Sequence, residues 1–287
     1  MWHRRFRIAS AVVEVTCAAP QLLERFTALT APYAPEAAAE PTLIFRLDVV
    51  DAQFALHCRS GFGEQLLWRS HDADDMPPAL EIHLYSQLMA QLYPQALSLH
   101  AAAVSHAERV ALFAGVSGAG KSSLCTAALL AGAGYCSDEF ALLGEDRLLA
   151  PFPRPLQWEH LQHSAFTAEQ MAAGGFECVR FDFPDPQGAR IVSQLWLPPL
   201  IERRALPPLA LFLPRYAAAA PPAALRELRR SEGLMQLAMH LHHQLPPAEA
   251  VRQLNRRLPE ECRCWRLDFS DARAGWSAAA AAMAEGD

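Results

Sequence analysis

The chain reads as an α/β protein built around a phosphate-binding loop, with an α+β section ahead of it. Three observations predict this. Residues 115–122 spell Gly-Val-Ser-Gly-Ala-Gly-Lys-Ser, two glycines four residues apart and then Lys-Ser, the P-loop pattern. An apolar run, Val110-Ala111-Leu112-Phe113-Ala114, leads into it as a short buried strand, and residues 123–131 leave it as a helix. The acid pair Asp138-Glu139 then follows 17 residues after Lys121, room for one helix and one strand. A strand, a glycine-rich turn and a helix start aim several backbone N–H groups at one point. A chance glycine-rich turn would not fill every position with both flanks correct.

The 287 residues suffice for one large domain or two moderate ones, and 52% hydrophobic residues provide a sizeable core. The net charge of −6 argues against a general nucleic-acid binder, which carries a basic surplus. Seven cysteines, an odd count without framework spacing, fit reduced thiols. Cys262-Arg263-Cys264 has no second cysteine pair nearby, so zinc is not expected there. The basic start, residues 1–7, is followed by no long apolar stretch or cleavage site, and no run approaches a membrane span. The expected location is the cytoplasm, with no membrane and no nucleic acid as partner.

Residues 1–95 form a front section. β-rich stretches fall at 6–17 and 41–50, a strand at 53–58, and a hairpin partner at 64–68 after Ser60-Gly61-Phe62-Gly63. Residues 31–41 and 72–78 read as loops. Across 79–92 the spacing of Leu80, Leu84, Leu88 and Leu92 predicts one apolar helix face, with Ile82 and Met89 beside it.

The second section, 96–287, opens on a strand at 99–104, a turn at 105–108 and the strand 109–114. Its helix, 121–130, stops at Gly132 and Gly134. A strand at 135–137 delivers Asp138 and Glu139, and a hairpin pattern covers 140–143 and 147–150. Residues 151–156 are stiff and extended. Residues 172–188, with Gly174-Gly175 and Pro184-Asp185-Pro186, read as a loop near the site. A strand at 209–213, helices over 233–245 and 248–258, a strand at 262–269 and an Ala-rich terminal helix complete the chain.

The chemistry follows from the loop. Gly115, Val116, Ser117, Gly118, Ala119, Gly120, Lys121, Ser122 and Ser123 would wrap the phosphates of ATP, the glycines allowing close backbone approach. Lys121 would carry its charge to the outer phosphates, and Ser122 would place its hydroxyl on Mg²⁺. Strand and helix return Asp138-Glu139 to the sheet edge that carries the loop, where ligands bind in open α/β sheets. Phosphoryl transfer needs a group to accept the attacking hydroxyl's proton and carboxylates for Mg²⁺. The two acids can divide these roles; elsewhere such a pair would be a solvated turn. His100, on the strand before, would orient Asp138 or shuttle its proton. A histidine amid Leu99 and Ala101 is otherwise a hydrogen-bonded core residue.

The succession Leu99-His100-Ala101, residues 115–122 and Ser137-Asp138-Glu139 resembles the HPr kinase/phosphorylase family, above all the HPr-kinase-related proteins of bacterial peptide-modification gene clusters, including kinases of lasso-peptide precursors. The resemblance is sharp over residues 97–156 and softer over 200–287. It implies an HPr-kinase-like (PEP carboxykinase-like) core. Carried over by position, Lys121 binds phosphates, Ser122 the metal, Asp138 is the base for a substrate serine, and His100 is the supporting histidine. Glu139 stands where the family usually has a second Asp, as an Mg²⁺ ligand. The later glycine-rich signature and metal-binding Glu of true HPr kinases have no clear counterpart, which argues against HPr as substrate and against a phosphorylase back-reaction.

Arg154 is a candidate substrate contact against the simpler reading of a surface arginine. His240, His242 and His243 cluster, but lack an evident third ligand and acidic neighbour, so a structural role is expected. Arg203-Arg204, residues 226–230 and Arg256-Arg257 read as solvated helix faces. The expectation is thus an ATP- and Mg²⁺-dependent kinase acting on a serine or threonine of a peptide or small protein. A small-molecule kinase and a nucleotide-binding regulator without turnover are the alternatives, and homo-oligomerisation is left open.

Overall fold

The computed structural model describes residues 1–159, 165–184 and 190–285. Along the chain run β1 (Trp2–Ile8), β2 (Ala11–Cys17), α1 (Leu23–Thr30), β3 (Ala34–Pro35), β4 (Leu43–Val50), β5 (Gln53–Ser60), β6 (Gly63–Ser70) and α2 (Met76–Leu92). Then come β7 (Ala96–His106), β8 (Arg109–Ala114), α3 (Lys121–Leu130), β9 (Gly134–Ser137), β10 (Phe140–Gly144), β11 (Leu149–Ala150), β12 (Leu156–Glu159), α4 (Ala168–Ala173), β13 (Glu177–Pro184) and β14 (Arg190–Leu197). The last stretch holds β15 (Pro208–Tyr216), β16 (Ala223–Leu228), α5 (Arg230–Ala238), α6 (Pro247–Arg257), β17 (Arg263–Phe269) and α7 (Ala272–Ala284). The protein is mixed α/β, and no described helix is long and apolar enough to cross a membrane.

The chain divides into two compact units. The first gathers Met1–Tyr93 with Arg154–His163 and Phe176–Leu197. Its six-stranded sheet has the order β3-β1-β2-β4-β5-β6, and a three-stranded sheet has the order β12-β14-β13. β2 alternates strictly in its second half and buries Val13, Val15 and Cys17 on one face. α2 buries Leu80, Leu84, Leu88 and Leu92, the i, i+4 stripe expected of it, whereas Ile82 is 64% exposed. Strand β13 of the β13–β14 hairpin runs through 177–184, within the stretch 172–188 where a loop was expected; Gly174-Gly175 before it and Pro184 at its end hide the strand. Asp185 and Pro186 of that expected loop lie outside the described residues.

The second unit comprises Pro94–Pro153, Ser164–Gly175 and Pro198–Asp287. The section 96–287 of the sequence reading therefore contributes 154–163 and 176–197 to the first unit. Its main sheet has the order β11-β10-β7-β8-β15-β17-β16, with β9 pairing β7. β15 runs parallel to both β8 and β17, and its apolar run Leu209–Leu213 is buried on both faces, as parallel strands are. β7 and β8 form a hairpin across Ala107-Glu108, both with positive φ, the twist such two-residue turns require. α3 ends at Gly132, whose φ of 91° closes the helix while Ala133 N donates back to Ala128 O.

Three expectations for this unit are corrected. Residues 226–228 belong to strand β16 and Arg203-Arg204 lie outside any helix, so neither is a helix face. Helix α5 stops at Ala238, and residues 239–243 instead lie alongside β7: Leu241 bridges Leu99, and His242 N donates to Ser98 O at 3.0 Å. Arg257 is no solvated helix residue but is 2% exposed. Its guanidinium donates to Pro94 O (2.7 Å), Gln95 O (2.9 Å) and Leu143 O (3.3 Å).

Candidate functional site

β8 carries five buried residues up to Ala114 and releases the chain into the glycine-rich loop. Gly118 and Gly120 take φ of 78° and 94°, the left-handed region that favours glycine. Gly120 caps α3 there, and the ring of Phe269 occupies the space a side chain would need. Ala119 N donates to Val116 O at 3.1 Å, and Tyr216 N to Ala119 O at 3.2 Å, which ties the loop to the end of β15. Ser117 and Ser122 are exposed, Val116 is 69% exposed, and Ala119 and Ser123 are half-buried.

Lys121, the first residue of α3, is only 7% exposed. Its Nζ donates to Gly115 O at 2.8 Å and Val116 O at 3.2 Å, so the loop's own carbonyls hold the ammonium in place. Burial lowers its pKa, while the charges of Glu139 and Asp138 oppose that shift. Both acids therefore act on the lysine.

The topology explains this convergence. β9 is antiparallel to β7, which is antiparallel to β8, so β9 and β8 point the same way and end at one sheet edge. Ser137 Oγ accepts from Glu139 N (3.3 Å) and Phe140 N (2.9 Å), bending the chain between β9 and β10 at the two acids. Both acids are half-buried. Glu139 faces a cleft shared with Lys121, Ser122 and Ser117, while Asp138 is not among the residues lining that cleft and its charge also acts on Cys125, on the buried face of α3.

His100 stands opposite Phe140 in the β7–β10 ladder. Its Nδ1 lies 3.4 Å from Glu139 Oε1. The sequence places His100 to orient Asp138 or shuttle its proton; in the structure the carboxylate paired with its ring is that of Glu139. Burial lowers its pKa, Lys121 adds to the decrease, and Glu139 opposes it. His100 N donates to His240 O at 2.7 Å. His242 is exposed, yet its ring packs against Phe140 at 4.9 Å and His100 at 5.8 Å between centroids. Lost solvation, then the neighbouring His100, pushes it down to about 4.

The cleft encloses about 700 Å³. Beyond the loop its wall is made by Phe166, Tyr216, Phe269 and the start of α7, where Asp271 caps Ala274 N and Arg273 lies over the Phe166 ring. Apolar ring faces at one end and donors at the other suit a ligand with a flat base and an anionic tail. Arg154 belongs to the first unit. There it pairs with Glu81 at 3.0 Å, donates to Gln157 and lies over Tyr85, so its charge is engaged within that unit.

No protein-family model matches the chain, and no curated protein matches it. The residues of the site carry the functional argument. Several of them were not singled out for this place: Phe166, Tyr216, Phe269, Asp271 and Arg273 of the cleft wall, Ser98, and His242 as a neighbour of His100 and Glu139. The only sequence signal for His242 was its membership of a histidine-rich stretch.

Proposed function

We propose that the protein is an ATP- and Mg²⁺-dependent kinase of the HPr-kinase-like type, transferring the γ-phosphate to a serine or threonine hydroxyl of a peptide or small protein. One observation carries this reading: Glu139 lines the cleft of the phosphate loop together with Lys121 and Ser122, and Asp138 directly precedes it at the end of β9. A nucleotide-storage site needs the loop and the lysine; a transferase needs carboxylates at the same point as well.

The loop amides and Lys121 would bind and orient the phosphates and offset their charge. Ser122 and Glu139 offer oxygen donors to the same cleft, the hard ligands that Mg²⁺ prefers, so the residues present fit that ion. When bound, Mg²⁺ supplies charge neutralisation on the phosphate oxygens. Asp138 would accept the proton of the acceptor hydroxyl at its carboxylate as the oxygen attacks. The rings of Phe166, Tyr216 and Phe269 would give the base of the nucleotide apolar faces to pack on.

The test is phosphate transfer from ATP to candidate peptides, followed by mass spectrometry. Asp138→Asn keeps the side chain's shape and removes the base; turnover is expected to fall by about 10²–10⁴-fold with ATP binding retained. Transfer at the wild-type rate would remove Asp138 from the mechanism.

A further inference from the structure

Three side chains from three separate stretches meet beside the loop: His100 on β7, Glu139 between β9 and β10, and His242 after α5. One ligand atom from each lies within 4.8 Å of the other two. His100 Nδ1 is 3.4 Å from Glu139 Oε1, and the imidazoles are inclined at 29°. The backbone holds both histidines. His100 N donates to His240 O and His242 N donates to Ser98 O, so each ring springs from a position pinned in the same local ladder.

Behind His242 sits Ser98, 1% exposed, with Oγ 2.9 Å from Nδ1. A metal-bound histidine characteristically gives its second ring nitrogen to such a partner, which fixes tautomer and orientation. With Nδ1–H donating to the hydroxyl, Nε2 keeps its lone pair for an ion. We propose that His100, Glu139 and His242 bind one divalent transition-metal ion of the zinc class, with Ser98 as the positioning residue behind His242. Two imidazoles and one carboxylate suit Zn²⁺, Co²⁺ or Fe²⁺, whereas Mg²⁺ prefers oxygen donors throughout. The set leaves one negative charge to meet the cation, and a fourth position stays open for water or a phosphate oxygen.

This deepens the kinase reading, because the ion would lie next to Lys121 and share Glu139 with the phosphate site; the two ideas nevertheless fail separately. Zinc is titrated calorimetrically into the full chain, stripped of metal and without nucleotide. One saturable ion per chain is expected. His242→Asn and His100→Gln should abolish that event. Ser98→Ala should weaken it about 10–100-fold while leaving the ligands in place, and serves as the readout if a histidine variant does not fold. Absence of saturable zinc binding, or equal binding by wild type and these variants, overturns the site. ATP with Mg²⁺ is titrated in parallel. Zinc without ATP binding leaves the metal site standing and ends the kinase reading; ATP without zinc binding does the reverse.

Discussion

Gly120 shows how much the site asks of single residues. It caps α3 at a φ of 94°, and the Phe269 ring lies where a Cβ would go. Alanine meets two separate penalties there. The left-handed conformation alone costs about 1–2 kcal/mol, and the aromatic ring must move or the loop must open. Gly120→Ala should therefore lower the melting temperature and abolish nucleotide binding together, read by thermal denaturation and ATP titration. Unchanged ATP affinity would mean that the loop geometry does not set binding. At this scale the site was partly legible in the sequence. Gly115 to Ser123, and Asp138 with Glu139, are local patterns whose spacing implies their neighbours. His242 was not legible, because its partners are set by chain pairing: residues 239–243 leave the helix and lie beside β7. The same pairing gives His100 a carboxylate in Glu139 rather than Asp138.

Elements were legible where burial imposes a period and hidden where it does not. The helix α2 announces itself through Leu80, Leu84, Leu88 and Leu92. The hairpin β13–β14 is masked by flanking Gly and Pro, and β16 by alternation of exposed and half-buried residues near Arg226. Helix α6 illustrates a concealed function of charge: Arg257 reaches out of it to three carbonyls and to Glu145 at 3.2 Å. Arg257→Ala strands those acceptors and should cost about 1.5–3 kcal/mol in urea unfolding; a loss below about 0.5 kcal/mol would make the contact incidental. The segment after α5 has its own signature. His100, His240, His242 and His243 all have lowered pKa values, burial being the first cause in each. Above the unfolded value of 6.5 both states are neutral and the full stability is present. As pH falls toward about 4 the unfolded chain takes up protons first, so stability is lost. In EDTA, melting should move to lower temperature across that window, and His242→Asn should flatten the slope. A wild-type slope in the variant would show that this ring does not contribute.

At the scale of the whole molecule, the chain is not two sections joined end to end. It leaves the first unit at Tyr93, returns at Arg154, and returns again at Phe176. Those returns carry β12, β13 and β14, and β14 packs into the first unit through Leu195 against Leu29. Leu156, Trp158, Leu195 and Trp196 are each at most 4% exposed. Cutting before residue 96 keeps these four side chains in the fragment but removes Leu29 and the helix around it. Each large apolar side chain left in water forfeits about 1.5–3 kcal/mol, a sum comparable with the whole stability of a domain. A fragment spanning 96–287 should therefore aggregate or melt without a cooperative transition, although it holds the phosphate loop, both acids and His100, His240, His242 and His243. The full chain should melt cooperatively under the same conditions. Calorimetry and light scattering on the two proteins decide the matter. A monomeric fragment with a sharp transition would show that the second unit folds without the strands' partners, and that the returns at Arg154 and Phe176 are excursions rather than part of the first unit's core.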